Sequence, residues 1–593
     1  MENNDLNDST ENDEAVTNKV GSVFYWTLGI LSVLILTGIF APNVLESVTA
    51  QAQTFISNTF GWYYLIVVTL FLIVCLIFIV SPYGKVRLGK DDDRPEYSFP
   101  VWIAFLFSAG LGVGLLFFGA AEPIAHFAIS SPNAPEGSEQ AAMDALLYTF
   151  FHWGLHGWAI YAIIAICLAY FNFRKDKTGL ISATLSPLWN MDGKLGKTID
   201  VVAIVATLSG IATTLGFGAL QMNGGISLLT GLPNTFALQL AIIVVVTVIF
   251  ILSSMTGIDK GIKILSTVNM SLVGVVFLFF MIFGATMFSF NMLTTTIGNY
   301  IQNLPQMSFN IAPMSEDKRE WINAWTIFYW AWWMAWSPFV GTFIARVSKG
   351  RTLREFVVAV LLVPSVMGFI WFSFIGGTAI AVESSGTIIS HLPDEEVLFG
   401  VLETMPLGTI MSYLTIFVIA VFFITSADSA TFVLASQSTA GSLNPGKRIK
   451  LVWGILMSTT AAVLLYSGGL QGIQNTMILV AFPFSIIMVL MVIALFKSLA
   501  QERLREEAAE RKEAREWKKW RKEQDRKDRQ LRKNEKKEKR TKIGKSQSHV
   551  KQQDLMTKTD RSEEWNTSEQ PGDNPAKRDN LDHDVDSNNK PEQ

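Results

Sequence analysis

Charge, cysteine and histidine are all scarce in this chain of 593 residues. Charged residues make up 17% of it, with two cysteines and six histidines, while half of the chain is apolar. Cys75 and Cys167 fall in different apolar stretches without metal-ligand spacing, which excludes a disulfide framework and leaves them packing roles. No metal set, nucleophile-base pair or phosphate-cradling loop stands out, so neither an enzyme nor a cofactor is expected. The net charge of −3 averages a basic stretch against acidic ends and gives no sign of a nucleic-acid partner.

What the chain has is apolar length. Runs of about 20 apolar residues, enough to cross a hydrocarbon core of roughly 30 Å, fall near 20–40, 61–81, 99–121, 144–170, 198–228, 236–256, 264–290, 321–346, 355–381, 408–437, 449–469 and 473–497. They predict an all-α integral membrane protein of about 12 transmembrane helices. Short cytoplasmic loops are enriched in Lys and Arg, and here the basic residues follow every second run. Lys85, Arg87, Lys90 and Arg94 follow the second; Arg174, Lys175, Lys177, Lys194 and Lys197 the fourth; Lys260 and Lys263 the sixth. Arg346, Lys349, Arg351 and Arg354 follow the eighth, and Lys447, Arg448 and Lys450 the tenth. The loops between carry none apart from Lys318 and Arg319, which stand among acids. Both termini are therefore expected in the cytoplasm, with no cleavable signal ahead of the first crossing.

The expected organisation is an acidic leader at 1–19, two peripheral crossings at 20–98, five crossings at 99–290 and an external connection at 291–320. Five more crossings at 321–498, a charged basic tail at 499–545 and a disordered end at 546–593 complete it. The tail is a helix-compatible run of Glu, Arg and Lys around Trp517 and Trp520, too polar to build a core. It reads either as a binder of anionic lipid or as a solvated tail that obeys the positive-inside rule.

The eighth crossing, Trp325–Phe343, holds five tryptophans and a tyrosine in a dozen positions. On a helix, Trp325, Tyr329, Trp332 and Trp336 share one face, and Trp333 stands off it. Pro338 cannot donate to the carbonyl of Met334, so the helix is predicted to loosen there. The third crossing carries Gly110, Gly112 and Gly114 at alternate positions, which fits a locally unwound helix or close packing through small residues. In the fourth, Trp153, Trp158 and Tyr161 fan over one side and can line a pocket together. His152 and His156 read as proton carriers or as histidines bonded to a neighbouring helix. Asp428, deep in the tenth crossing, reads as a functional carboxylate or as a structural hydrogen-bond hub.

Rings arranged as a cage are the usual way to hold a quaternary ammonium, which has no N–H to donate. A zwitterion would also need donors for its carboxylate, and backbone N–H groups freed at Gly110–Gly114 could supply them. A coupling cation would sit among oxygens, from Thr425 and Ser426 and from carbonyls near Ser108 and Leu111. Breaks in crossings three and eight, five apart, divide crossings three to twelve into two repeats of five.

These stretches together resemble the betaine/choline/carnitine transporter family over roughly residues 20–495. The run WTIFYWAWWMAWSPFVGTFIARVSKGRTLREF carries the likeness most specifically, with support from Ala109–Gly114, HWGLHGWAIY at 152–161 and TSADSAT at 425–431. The resemblance implies a LeuT-like fold, with two inverted five-helix repeats preceded by two extra helices, assembled as a homotrimer in the cell membrane. It implies a substrate box of Trp153, Trp158, Tyr161 and Trp333 beside Ala109, Gly110, Gly112 and Gly114. Trp325, Tyr329, Trp332 and Trp336 would line the pathway. A Na+ site would use Ser108, Leu111, Thr425 and Ser426, and a second would use Thr207, Phe339 and Phe422, although Ile211 stands where the pattern has a threonine. Gly114 stands where choline-transporting, proton-coupled members tend to carry an aspartate, which favours a zwitterion such as glycine betaine. The implied function is Na+-coupled, osmotically regulated glycine betaine symport, since osmoregulated members are similar in having a long charged terminus. Choline or carnitine transport or exchange is the alternative within the family, and a receptor or channel the alternative outside it.

Overall fold

The structure is a computed structural model that describes residues 20–557 apart from 111, 257, 258 and 443. The side chains of 107–110, 256, 259–263 and 552–557 also lie outside the description. Lipid offers the backbone no hydrogen-bond partners, so apolar runs satisfy their own N–H and C=O groups and become helices. Among the described residues there is no strand, and nine helices are long and apolar enough to cross a membrane. The chain divides into two compact units, Met1–Glu502 and Arg503–Gln593.

In the first unit, α1 (Ser22–Phe40) and α2 (Pro42–Val80) leave Val33, Leu36, Phe40 and Val80 exposed, as lipid-facing helices do. Cys75 and Cys167 are buried and free. The third crossing is split into α3 (Phe99–Gly110) and α4 (Val113–Ile124), with Gly112 extended between them at φ −160 and ψ −177. The helix is therefore interrupted within the glycine stretch, and α4 starts afresh at Val113. The fourth crossing is split too, into α5 (Glu139–Trp153) and α6 (Leu155–Ala169) on either side of Gly154. Then follow α7 (Lys194–Thr230), α8 (Phe236–Thr256), α9 (Asp259–Phe283), α10 (Thr286–Phe309) and α11 (Glu316–Ile322). A π-turn at Asn323–Ile327 leads into α12 (Phe328–Val347), which lies along α6. The first unit continues through α13 (Leu353–Ser384), α14 (Asp394–Glu403), α15 (Gly408–Ser438) and the beginning of α16 (Lys447–Thr557), which is kinked at Gly469.

One expectation fails here: α12 runs unbroken through Ser337-Pro338. The carbonyl that Pro338 leaves without a backbone donor belongs to Met334, and the Ser337 hydroxyl donates to it at 2.7 Å. The side chain replaces the missing N–H, so the helix has no reason to open.

Three of the basic loops, those after the second, fourth and eighth crossings, meet on one side of the first unit. Leu88 N–H donates to the Arg351 carbonyl at 2.9 Å, Gly350 N–H donates to the Leu88 carbonyl at 2.8 Å, and Lys90 Nζ donates to the Arg174 carbonyl at 3.0 Å. Glu502 accepts from Tyr170 and Lys175 at 2.7 Å each and also from Arg174. Burial pushes the Glu502 carboxyl up, but these donors outweigh it and hold the group down at about 2. In the second unit, the described residues 503–557 are helical and largely exposed. Helical i,i+4 pairs such as Arg503–Glu507 at 3.0 Å run along it, and Arg521 lies 5.4 Å over the Trp517 ring. Residues 546–557, expected to be disordered, are helical instead: the segment contains no proline and continues the helix. Residues beyond 557, like the leader at 1–19, lie outside the described residues.

Candidate functional site

The four rings singled out for a box meet in the middle of the first unit. Ring centroids lie 6.0 Å apart for Trp153–Trp333, 5.6 Å for Trp158–Trp333, 4.6 Å for Tyr161–Trp333 and 5.6 Å for Trp158–Tyr161. All four are buried. Trp158 and Tyr161 come from α6, Trp153 is the last residue of α5, and α12 delivers Trp333. Trp333 can reach the others because it packs over Gly157, where an added Cβ would sit 2.7 Å from its ring atoms. Its indole N–H donates to the His152 carbonyl at 3.0 Å, which fixes the ring plane.

The start of α4 forms another side of this site. Gly112, Val113, Gly114 and Leu115 line a cavity of about 50 Å³ with Trp153, Tyr161, Trp332, Trp333, Trp336 and Thr214. The first backbone N–H groups of a helix lack internal partners and form a positive end, so this side favours an anionic group. Gly114 has to be small: a Cβ there would meet Trp332 and lie 3.3 Å from Trp153. A second hollow, about 350 Å³ and almost wholly apolar, abuts Trp153, Trp158 and Trp333 and reaches Met270, Phe277 and Trp371. The small volume between the rings means they are drawn together. Ala109 and Gly110 end α3, and their side-chain positions are among those left undescribed.

The stripe of α12 divides by chemistry. Trp332 packs on Phe217 at 5.3 Å and Phe328 at 5.9 Å, while the Trp336 N–H donates to the Gly210 carbonyl at 2.7 Å. Trp325 lies against His126 at 4.5 Å and is absent from these cavities. Tyr329 turns its hydroxyl to the Glu122 carboxylate instead.

The proposed cation ligands are brought together in part. Thr425, Ser426 and Asp428 line a cavity of about 600 Å³ with Trp336, Phe339, Phe422, Arg346 and Lys450. Asp428 is half-buried on its wall. Thr425 Oγ1 donates to the Val421 carbonyl at 2.9 Å, within its own helix, which leaves its lone pairs available to a cation. The Ser108 side chain and Leu111 lie outside the described residues. Of the second set, Phe339 and Phe422 share the large cavity, whereas Thr207 is fully buried on α7 with its hydroxyl on the Ala203 carbonyl at 2.7 Å.

Sequence reasoning missed Glu122, which lies one residue past the expected end of the third crossing. It is fully buried. Its Oε2 accepts from the Trp153 N–H at 2.8 Å and from Tyr329, while His152 Nδ1 lies 2.7 Å and His126 Nε2 3.3 Å from Oε1. The one signal was an acid four residues before a histidine at the end of an apolar run. The ligand atoms of Glu122, His126 and His152 lie within 4.8 Å of one another, so folding assembles a set whose spacing could hold a metal where the sequence showed none. Hydrogen bonding accounts for these contacts, since Oε2 is shared by two donors and His152 Nε2 lies 2.9 Å from Thr326 Oγ1. His156 is also explained by a neighbour, with Nε2 3.0 Å from Ser308 Oγ.

An all-helical chain with many membrane-length apolar helices around a ring-lined interior is a multi-pass membrane protein. It belongs to the betaine/carnitine/choline family of transporters, whose family model matches residues 22–504. The glycine betaine transporter OpuD of Bacillus subtilis (strain 168) is 54% identical over 495 residues, covering 83% of this chain and 97% of that protein. An ectoine/hydroxyectoine transporter of Virgibacillus pantothenticus is 40% identical over 490 residues, 82% of this chain and 97% of its own length. The betaine/ectoine transporter LcoP of Corynebacterium glutamicum is 39% identical over 501 residues, 82% of this chain and 80% of its own. These relatives are transporters, not enzymes.

Proposed function

We propose that the chain is a secondary carrier for a quaternary-ammonium osmoprotectant, with glycine betaine as substrate and Na+ as the coupling ion. The observation that carries this reading is the four-ring box beside the start of α4. Rings attract a methylated ammonium that cannot donate a hydrogen bond, and the helix start at Val113 attracts its carboxylate. Thr425 and Ser426, with backbone near Ser108 and Leu111, are the proposed Na+ ligands. Thr207, Phe339 and Phe422 are kept as a second set of lesser weight, because Ile211 supplies no oxygen.

The proposed arrangement is twelve crossings in a LeuT-like 5+5 inverted repeat after α1 and α2, as a homotrimer in the plasma membrane with both termini cytoplasmic. The gathered basic loops support that orientation. The 600 Å³ cavity, which carries Arg346 and Lys450, would then open toward the cytoplasm. The basic helix after 503 is proposed to bind anionic lipid and to tune activity to osmotic stress.

Uptake of labelled glycine betaine by a transporter-deficient cell is expected to require Na+ and to collapse in Trp333→Ala. Uptake unchanged without Na+ would remove the coupling ion from the account. Truncation after residue 502, which keeps Glu502 with Tyr170, Arg174 and Lys175, is expected to abolish activation by external osmolality while leaving uptake. Two of the relatives are ectoine transporters, which favours ectoine as a second reading. A competition panel of betaine, ectoine, choline, carnitine and proline separates the substrates.

A further inference from the structure

The box explains four rings and leaves one buried acid beside them unexplained. Glu122 lies on α4, and its partners come from α5 (His152, Trp153) and α12 (Tyr329) as well as from the turn after α4 (His126). One carboxylate thus clasps the elements that carry or flank the box. Its bond to Trp153 matters most, because an indole N–H is a donor only and its direction fixes the plane of the ring. The same neighbourhood fixes the opposite wall, since His152 lies beside Oε1 and receives the Trp333 N–H on its carbonyl.

We propose that Glu122 is a positioning residue for substrate recognition, acting through Trp153. The inference rests on the box being the substrate site. Donation from an indole N–H to a carboxylate does two things. It locks the ring at the angle that faces the site, and it shifts electron density from the N–H into the ring, making the π-face more negative toward a cation. An acid placed this way favours a quaternary ammonium without touching it. That is the arrangement a permanently charged, fully methylated group calls for, since it offers no N–H for a carboxylate to accept.

The test is a double-mutant cycle on the purified full-length protein in lipid nanodiscs, reading the Kd of glycine betaine by calorimetry. Glu122→Gln keeps nearly the same shape and loses the charge, and is expected to weaken binding about tenfold. Trp153→Phe removes the N–H. In that background, Glu122→Gln is expected to cost less than about twofold, because the bond through which it acts is gone. Equal weakening in both backgrounds would show a general structural role and overturn the proposal, as would no weakening in the parent. Should Glu122→Gln fail to accumulate, Trp153 is replaced by benzothienylalanine, which keeps the bicyclic ring and lacks the N–H. Binding as tight as in the parent then overturns the proposal, and about tenfold weaker binding supports it. Trp158→Ala and Trp333→Ala are the controls for the site itself. If both leave binding intact, the box reading falls; if they abolish it while Glu122→Gln does nothing, only this inference falls.

Discussion

The third and eighth crossings both carry residues that weaken a helix, yet one opens and the other does not. Between α3 and α4 the chain passes through Gly112 in an extended conformation, an interruption that the low helix propensity of glycine favours. In α12, Pro338 removes a donor, but Ser337 stands next to it and donates to the stranded Met334 carbonyl. In α12 a neighbouring hydroxyl thus satisfies the group that proline frees, and the helix stays closed. The opened crossing offers a helix start to a ligand, while the closed one offers a rigid wall of rings.

Two substitutions sharpen or break that contrast. The larger effect is expected from Gly114→Ala, whose Cβ would press on Trp332 and approach Trp153 at 3.3 Å. Overpacking of this kind costs about 1–3 kcal/mol, so the KM for substrate should rise roughly tenfold or more with membrane abundance preserved; an unchanged KM would contradict the close approach. Ser337→Ala should destabilise the protein by about 1 kcal/mol and lower its Tm, read by thermal unfolding in detergent. In a Pro338→Ala background the restored N–H bonds the Met334 carbonyl, and the same substitution should cost only a few tenths of a kcal/mol. Equal costs in the two backgrounds would break the explanation of the continuous α12.

The difference also shows what a sequence can reveal. The membrane-length runs and the glycine interruption were legible because each depends on composition over a short stretch. The ring box was legible from the spacing of Trp153, Trp158 and Tyr161 together with a family resemblance that picked Trp333 over its neighbours on the stripe. The continuity of α12 was not, because it depends on which way one hydroxyl turns. The Glu122 cluster was hidden more deeply. Its partners at 126, 152, 153 and 329 come from separate elements, and only the fold sets them around one carboxylate. Tyr329 likewise looked like part of an aromatic wall until its hydroxyl found that acid.

The central claim is that the four-ring box holds the ammonium of glycine betaine. Its most direct test is calorimetric binding of glycine betaine to the purified protein in Na+, comparing the parent with Trp333→Ala. Deleting one ring of a desolvated cage should lose about 2 kcal/mol, roughly thirtyfold in Kd. An unchanged Kd in a variant that folds and inserts normally would contradict the account.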